Sequence, residues 1–276
     1  MSADALADTD GPVTDPGTRQ SGPGGTADSG ARSRLRRGFP VALAVQLGVI
    51  VVAFAAVAIW LANAPLTPVE ATTLAPSALW GYTLAHLRLT FTAAVIVLVI
   101  ALPLGVLLTR RRTRFLAGPV AAVANVGQAA PAIGLIVLLA FWFGFGFAAA
   151  IVALVVYAVL PVLRNTVVGL QQVDQRVIEA GRGMGMSALA VLVKVELPLA
   201  VPIMLSGIRT ALVLLVGTAT LATFINGGGL GILITTGVNL SLTTVLVAGS
   251  LLVALLALSI DWLGRLVEFV ATPKGL

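Results

Sequence analysis

Few residues of this sequence could carry out bond-making chemistry. It contains no cysteine and only one histidine, His86, in 276 residues. A single histidine can neither assemble a metal cluster nor complete a Ser-His-Asp triad by itself. The phosphate-binding pattern Gly-x4-Gly-Lys-[Ser/Thr] does not occur in the sequence. We therefore expect no catalytic residue, no metal, no cofactor and no nucleotide bound through that loop.

The remaining candidates are polar side chains inside apolar segments, where an ionisable residue suggests a function by default. Arg209 is predicted either to face a cavity or, as we favour, to snorkel or pair within the bundle. Asp261 has Arg265 four residues later, which favours a local ion pair. Gln128 and Pro131 lie in NVGQAAPAIG, which interrupts an apolar run. Because broken helices are tolerated where they line a cavity, Gln128, Pro131 and Arg209 are candidate pathway residues, with close helix packing as the alternative.

The composition indicates that membrane-spanning helices position these residues. Hydrophobic residues make up 58% of the chain and charged residues only 10%, against about 25% charged residues in soluble domains. The mean hydropathy of +1.05 agrees. The net charge of +6 does not predict nucleic-acid binding, because no basic, aromatic-bearing soluble module is present.

The apolar runs predict an all-α integral membrane protein with six transmembrane helices. The predicted spans are 39–62, 87–108, 119–143, 147–163, 199–224 and 243–267. Residues 1–38 are predicted to form a disordered cytoplasmic tail. A cleaved signal peptide ending near Ala62-Asn63-Ala64 is the alternative for the first span. An uncleaved span is favoured, because a signal peptide has an apolar region of only about 7–15 residues.

The basic residues predict the orientation of the chain. Fifteen of the seventeen Lys and Arg residues fall in the N-terminal tail, the 110–114 turn, the 164–198 loop or the C-terminal tail. The loops around 63–84, 144–147 and 225–242 contain none. Because Lys and Arg accumulate in cytoplasmic loops, we expect a multi-pass protein of the cell membrane with a cytoplasmic N-terminus.

Residues 174–198 form a polar helical segment between two apolar runs. Asp174 is a predicted N-cap and Gly185 a predicted tight turn. A second helix is expected to follow and to stop before Pro198. One face of that helix is expected to pack on the bundle through the apolar residues Ala188, Leu189, Leu192 and Val195. The segment is thus predicted to be an elbow lying along the membrane surface.

This segment resembles the cytoplasmic motif of bacterial ABC importer permeases, E-A-A-x3-G-x9-I-x-L-P. Seven residues fall at the motif positions: Glu179, Ala180, Gly181, Gly185, Val195, Leu197 and Pro198. Gly181 in place of Ala and Val195 in place of Ile are the two departures. The stretches QAAPAIGLIVLL, LPVLRNTVVGLQQVD and GTATLATFINGGGLG also resemble the osmoprotectant branch of these permeases. That branch imports glycine betaine, carnitine, choline and similar quaternary amines.

The resemblance implies a non-catalytic permease domain over residues 80–270, with an ATPase-coupling segment at 174–198. The core of five spans would be preceded by an additional span at 39–62. The implied partners are cytoplasmic ABC ATPase subunits that bind the ATP, an extracytoplasmic substrate-binding protein, a second permease subunit and membrane lipid. The alternative for the elbow is a solvated face on which Glu179 pairs with Arg182.

Two alternatives for the function remain open at this stage. One is an ABC permease for another small solute, such as an amino acid. The other is a self-sufficient secondary transporter or channel.

The Trp and Tyr residues are scattered along the chain, whereas quaternary ammonium recognition usually requires an aromatic cage. Tight selection is therefore expected to reside outside this chain, and the resemblance implies that it resides in the extracytoplasmic binding protein. The glycines at 227–229 predict an external gate or turn.

Overall fold

The computed structural model describes residues 41–271. Within that range every regular element is helical, which confirms the all-α prediction. The main helices are α1 Val41–Asn63, α2 Pro68–Thr73, α3 Pro76–Leu108, α4 Ala117–Ala129, α5 Ala132–Phe143, α6 Phe147–Gln171, α7 Gln175–Gly183, α8 Ala188–Val191, α9 Leu197–Ala219, α10 Gly231–Asn239 and α11 Thr243–Ala271. Short 3₁₀ turns occupy Arg114–Leu116 and Thr220–Ile225, and a π-turn occupies Leu192–Glu196. The predicted N-terminal tail lies outside the described residues.

Five helices are long and apolar enough to cross a membrane by themselves. These are α1, α3, α6, the continuous run from Ala188 to Ile225, and α11. Helices α4 and α5 pass the same test as a pair that is bent by 99°. The bend follows from Pro131, because proline disfavours a helical conformation in the residue before it, and Ala130 has an extended backbone.

Contacts between the helices show which of their ends lie together. Gly105, near the end of α3, packs against Thr166, near the end of α6. Gly169 in α6 lies against Ala200 at the start of α9. Helices α3 and α6 therefore end, and α9 begins, at one end of the bundle, which we call the elbow end. Since α6 begins at the opposite end, α4 and α5 together must cross the bundle once, which gives six crossings.

Small residues allow the central helices to approach closely. A Cβ atom on Gly207 of α9 would lie 2.8 Å from the carbonyl oxygen of Pro161 in α6. A Cβ atom on Gly105 would lie 2.6 Å from the Thr166 methyl group. Helix association in lipid depends on such packing, because apolar side chains are as well solvated by lipid as by protein. The buried face of α6 is accordingly rich in alanine.

The structure corrects three predicted boundaries. The predicted loop at 63–84 contains α2 and the first turns of α3, and the loop at 225–242 contains α10. The signal for α2 was a capping box, in which Thr67 accepts from the Glu70 backbone and Glu70 accepts from the Thr67 backbone. Helix α6 continues to Gln171, so that Arg164 lies within a helix and not in a loop.

Candidate functional site

The elbow, residues 174–191, consists of α7, a tight turn and α8. The Asp174 carboxylate caps α7 by accepting from the Arg176 backbone N–H at 2.9 Å. Gly185 has φ of +83°, a conformation that glycine adopts without steric strain. Ser187 caps α8 by accepting from the Ala190 backbone N–H at 3.2 Å. The predicted N-cap and glycine turn are therefore confirmed.

The elbow is fastened to the bundle by an apolar cluster. Ile178 of α7 and Val191 of α8 are buried together with Leu170, Ala200 and Met204. The residues that contact the bundle match the predicted face only in part. Leu192 and Val195 do pack there, but Ala188 and Leu189 point outward. The helical spacing alone did not show which side of this short helix meets the bundle.

The opposite face of the elbow is exposed and carries most of the first part of the motif, whereas Gly181 is buried against Met186 and Val191. Glu179, Ala180 and Gly185 are all exposed. In the part of the chain that the structure describes, no salt bridge joins Glu179 to Arg182, so the alternative of a local ion pair is not supported. A carboxylate and a side-chain-free turn thus face away from the bundle, where another protein can approach.

The second part of the motif lies where the elbow joins a span. The helix does not stop before Pro198 as predicted, but runs through the π-turn into α9. The Leu197 N–H bonds to the Leu192 carbonyl, five residues earlier. This wider turn accommodates Pro198, which has no N–H and in a regular helix would clash with the carbonyl four residues before it. The elbow is therefore continuous with α9.

An ion pair between a buried carboxylate and a half-buried arginine at this junction was not predicted from the sequence. Glu196 is 5% exposed and binds Arg110, which follows α3. Arg110 Nη1 lies 3.3 Å from Oε1 and Nη2 lies 2.5 Å from Oε2. The sequence placed Arg110 only in the basic turn after the second span, and nothing local to either residue indicates a partner 86 positions away.

The interrupted span is held to α6 by polar contacts. Gln128 Nε2 lies 3.5 Å from the Tyr157 carbonyl oxygen, and the Tyr157 hydroxyl donates to the Ala130 carbonyl. In the preceding turn of α4, the Asn125 Oδ1 accepts from Arg164 Nη2 at 2.7 Å. Pro131 itself is exposed. Amide and backbone groups at the break, and the Asn125 amide just before it, are therefore directed at α6.

Arg209 is found elsewhere, between α9 and α11. Its guanidinium lies 3.7 Å from Asp261 and 3.2 Å from Glu268, so the pairing favoured from the sequence is confirmed. The structure does not bring it to Gln128 or Pro131. The predicted ion pair of Asp261 with Arg265 is also present, at 2.8 Å.

The Asp261 carboxylate also holds the first span, α1. Gln46 Nε2 of α1 donates to Asp261 Oδ2 at 3.0 Å. The indole N–H of the next residue, Trp262, donates to the Leu43 carbonyl at 2.9 Å. Helix α1 therefore begins beside the end of α11, at the elbow end of the bundle.

His86 lies near the opposite end, beneath the glycine turn at residues 226–230. Its Nδ1 accepts from the Leu230 N–H at 3.2 Å, so Nε2 carries the proton and donates to the Val216 carbonyl at 3.0 Å. Gly228 and Gly229 have φ of +83° and +95°. A turn at these glycines is confirmed, whereas a gating role stays a prediction.

Known proteins show which family combines these features. A family model described as "Binding-protein-dependent transport system inner membrane component" matches residues 101–269. The chain belongs to this family. It is 42% identical over 191 residues to the glycine betaine/carnitine/choline transport system permease protein OpuCB of Bacillus subtilis, covering 69% of this chain and 87% of that protein. It is 39% identical to the osmoprotectant import permease protein OsmW of Salmonella typhimurium, covering 70% and 92% respectively.

A solved structure shares the fold of this permease. Inward-facing MetNI, a methionine ABC transporter, matches with a TM-score of 0.62 and 28% identity, over 71% of this chain and 96% of that one. The chain is thus a multi-pass, non-catalytic permease subunit of an ABC importer, in which separate subunits hydrolyse ATP. Membership of the family implies ATPase subunits, a binding protein and a second permease as partners. The family match begins inside α3, so α1 and α2 precede it.

Proposed function

We propose that this permease moves a quaternary-amine compatible solute, such as glycine betaine, carnitine or choline, into the cytoplasm. The observation that carries the proposal is its similarity to relatives named for these solutes. Besides OpuCB of Bacillus subtilis and OsmW, they include the choline transport system permease protein OpuBB of Bacillus subtilis, which is 39% identical over 194 residues. All three alignments cover most of the relative, so the similarity includes the spans as well as the elbow.

The exposed face of the elbow is the proposed docking site for the ATPase. It presents Glu179, Ala180 and the Gly185 turn, whereas its buried face is locked into the bundle. Because α8, the π-turn and α9 form one continuous helix, a displacement of the elbow must be passed to α9. Closure of two ATPase subunits can in this way rotate the spans as rigid bodies. The ATP would be bound by those partners.

The basic residues support a cytoplasmic position for the elbow end. The exposed side chains of Arg112, Arg176 and Lys194 lie there. The connections at the opposite end, around 64–75, 144–146 and 226–242, contain no Lys or Arg. By the positive-inside rule the N-terminus, which precedes the start of α1 at the elbow end, is also cytoplasmic.

The aromatic residues support selection of the solute outside this chain. Trp80 and Trp142 are exposed on the helix surfaces. In the described part of the chain, no Trp or Tyr ring pairs with another aromatic ring. An aromatic cage for a quaternary ammonium group is therefore expected in the binding protein.

Uptake of glycine betaine tests the proposal. Cells with and without this chain, but with the rest of its importer, should differ in uptake of radiolabelled glycine betaine at high osmolarity. We expect uptake to fall to background without the chain and to return when it is supplied from a plasmid. Unchanged uptake would contradict the assignment of the solute.

An amino acid is the second candidate solute, and it has a specific observation in its favour. The matching solved structure belongs to a methionine transporter. Competition of the glycine betaine uptake by excess methionine or by excess choline separates the two candidates. A secondary transporter or channel would instead support flux by the purified chain without any ATPase, whereas we expect none.

A further inference from the structure

Glu196 and Arg110 join two elements that no other polar contact between described residues joins. Glu196 lies in the π-turn between the elbow and α9, and Arg110 follows the last turn of α3. Both carboxylate oxygens of Glu196 are engaged, at 3.3 and 2.5 Å from the guanidinium. A two-point guanidinium–carboxylate pair fixes orientation as well as distance. The contact is therefore more rigid than the apolar packing around it.

Arg110 is itself held to α3. Its Nε donates to the Val106 carbonyl at 3.3 Å, and Nη2 donates to the Thr109 hydroxyl at 3.0 Å. The Val106 carbonyl lies in the last turn of α3 and also accepts from the Thr109 hydroxyl at 2.7 Å. The guanidinium thus bridges the end of α3 and Glu196, and a force on Glu196 acts directly on α3.

The position of Glu196 in the motif is informative. The pattern specifies Val195, Leu197 and Pro198 but leaves position 196 open. Among the charged residues of the motif segment 179–198, Glu196 is nevertheless the one whose side chain is buried. Burying a carboxylate is costly unless it is paired, so a neutral residue would be expected if the site only needed to be filled.

We propose that Arg110 and Glu196 are positioning residues for energy coupling, which clamp the π-turn that follows the elbow to the end of α3 so that the elbow ends of α3 and α9 move together. The inference rests on the proposed role of the elbow in ATPase docking. Helix α9 is continuous with the elbow through this π-turn. Helix α3 packs directly on α9 and binds its far end through His86 and Val216, but among the described residues Arg110 and Glu196 form the one ion pair that joins the elbow end of α3 to the π-turn. Without the clamp, the elbow end of α3 is held to this turn by apolar side chains alone, such as Leu102 and Val106, and the two can slide past each other.

The far end of α3 gives this clamp a further consequence. About 36 Å along the helix from Arg110, His86 of α3 binds the Val216 carbonyl and the Leu230 N–H. Leu230 ends the glycine turn. A displacement of α3 by the clamp therefore reaches the glycine turn at the opposite side of the bundle through one helix and one side chain.

Transport by the complete importer in liposomes tests the clamp. Glu196→Gln and Arg110→Gln should keep capture of the ATPase and ATP hydrolysis, but lower glycine betaine uptake per ATP by about fivefold or more. The exchange of charges in Arg110→Glu with Glu196→Arg should recover a large part of that ratio. Arg112→Gln, which removes an exposed charge from the same turn, is the matched control and should not change it. An unchanged ratio in the single variants, or no recovery by the exchange, overturns the proposal.

A distance measurement tests the clamp without reference to any solute. Because the chain has no cysteine, spin labels can be placed at Val177→Cys on the elbow and Leu107→Cys on α3, both partly exposed. With the clamp intact, their separation should be the same in the nucleotide-free and the vanadate-trapped importer. With Glu196→Gln it should differ by about 2 Å or more. Equal behaviour of the two proteins overturns the clamp even if the solute is not glycine betaine.

Discussion

At the scale of the residue, the motif divides into positions that face a partner and positions that hold the chain. Glu179 and Gly185 are exposed, whereas Val195 and Leu197 pack on the apolar cluster beneath the elbow. The residue type at each of these positions suits the face of the elbow on which it lies. Glycine is required at 185 by the backbone, since φ is +83°, and not by space, because nothing lies within 4 Å of its Cβ position.

Reversal of the charge at Glu179 should weaken capture of the ATPase. Glu179→Lys places a cation where the proposed interface presents a carboxylate, and like charges across an interface are strongly unfavourable. We expect at least about a tenfold loss in pull-down of the ATPase by detergent-solubilised permease. Gln175→Lys adds the same side chain to an exposed position of the same helix and should leave capture unchanged. Full capture by Glu179→Lys would count against the docking site.

Gly181 is the departure from the motif that the structure makes easiest to test. A Cβ atom there would lie 3.5 Å from the Met186 sulfur and from a Val191 methyl group, which is ordinary van der Waals contact. Because glycine inside a helix is less stable than alanine by about 0.5–1 kcal/mol, Gly181→Ala should raise the melting temperature of the purified permease slightly. Gly207→Ala, whose Cβ would lie 2.5 Å from the Asn165 Cβ, should lower it. A lower melting temperature for Gly181→Ala would contradict this packing.

At the scale of the element, polar contacts fasten the peripheral helices to the bundle. Helix α1 is held to α11 by Gln46 and by Trp262. Helix α2 is held to α11 by Glu70, which interacts with Thr244 at the start of α11 and also caps α2 by accepting from the Thr67 N–H and hydroxyl, both at 2.9 Å. The contacts that α1 and α2 make with α11 join distant segments of the chain, so they were not predicted.

Protonation of Glu70 should loosen α2 at low pH. The hydrogen bonds that its carboxylate accepts, first from the Thr67 backbone and then from Thr244 and the Thr67 hydroxyl, lower its pKa. Its contribution to stability is therefore complete above the unfolded-state pKa of about 4.3. It is lost as the pH falls through the lower folded-state pKa. Glu70→Gln, which carries no titrating group, serves as the reference.

The measurement compares the melting temperatures of the two proteins in detergent from neutral pH downwards. Their difference should be constant above about pH 4.3 and should shrink below it. A difference that does not change with pH would show that Glu70 contributes no hydrogen bonds that depend on its charge.

At the scale of the whole molecule, the sequence by itself determined the class of protein and its topology. Apolar runs of span length, the basic residues between them and the spacing of the motif are local properties of the chain. These properties indicate, respectively, a membrane span, the side of the membrane on which a loop lies, and a turn. Six crossings and the elbow could therefore be predicted. The break at Pro131 was predicted for the same reason, since proline acts on its own neighbours.

Only the tertiary structure decided which side chains meet. Glu196 with Arg110, His86 with Leu230, and Asp261 with Gln46 are separated by 86, 144 and 215 residues. Helical spacing predicts the sides of a helix, but which side is buried depends on where the neighbouring helices lie. In a bundle without a hydrophobic driving force between spans, those positions are set by close packing at small residues and by paired polar groups. Neither is encoded in any single segment.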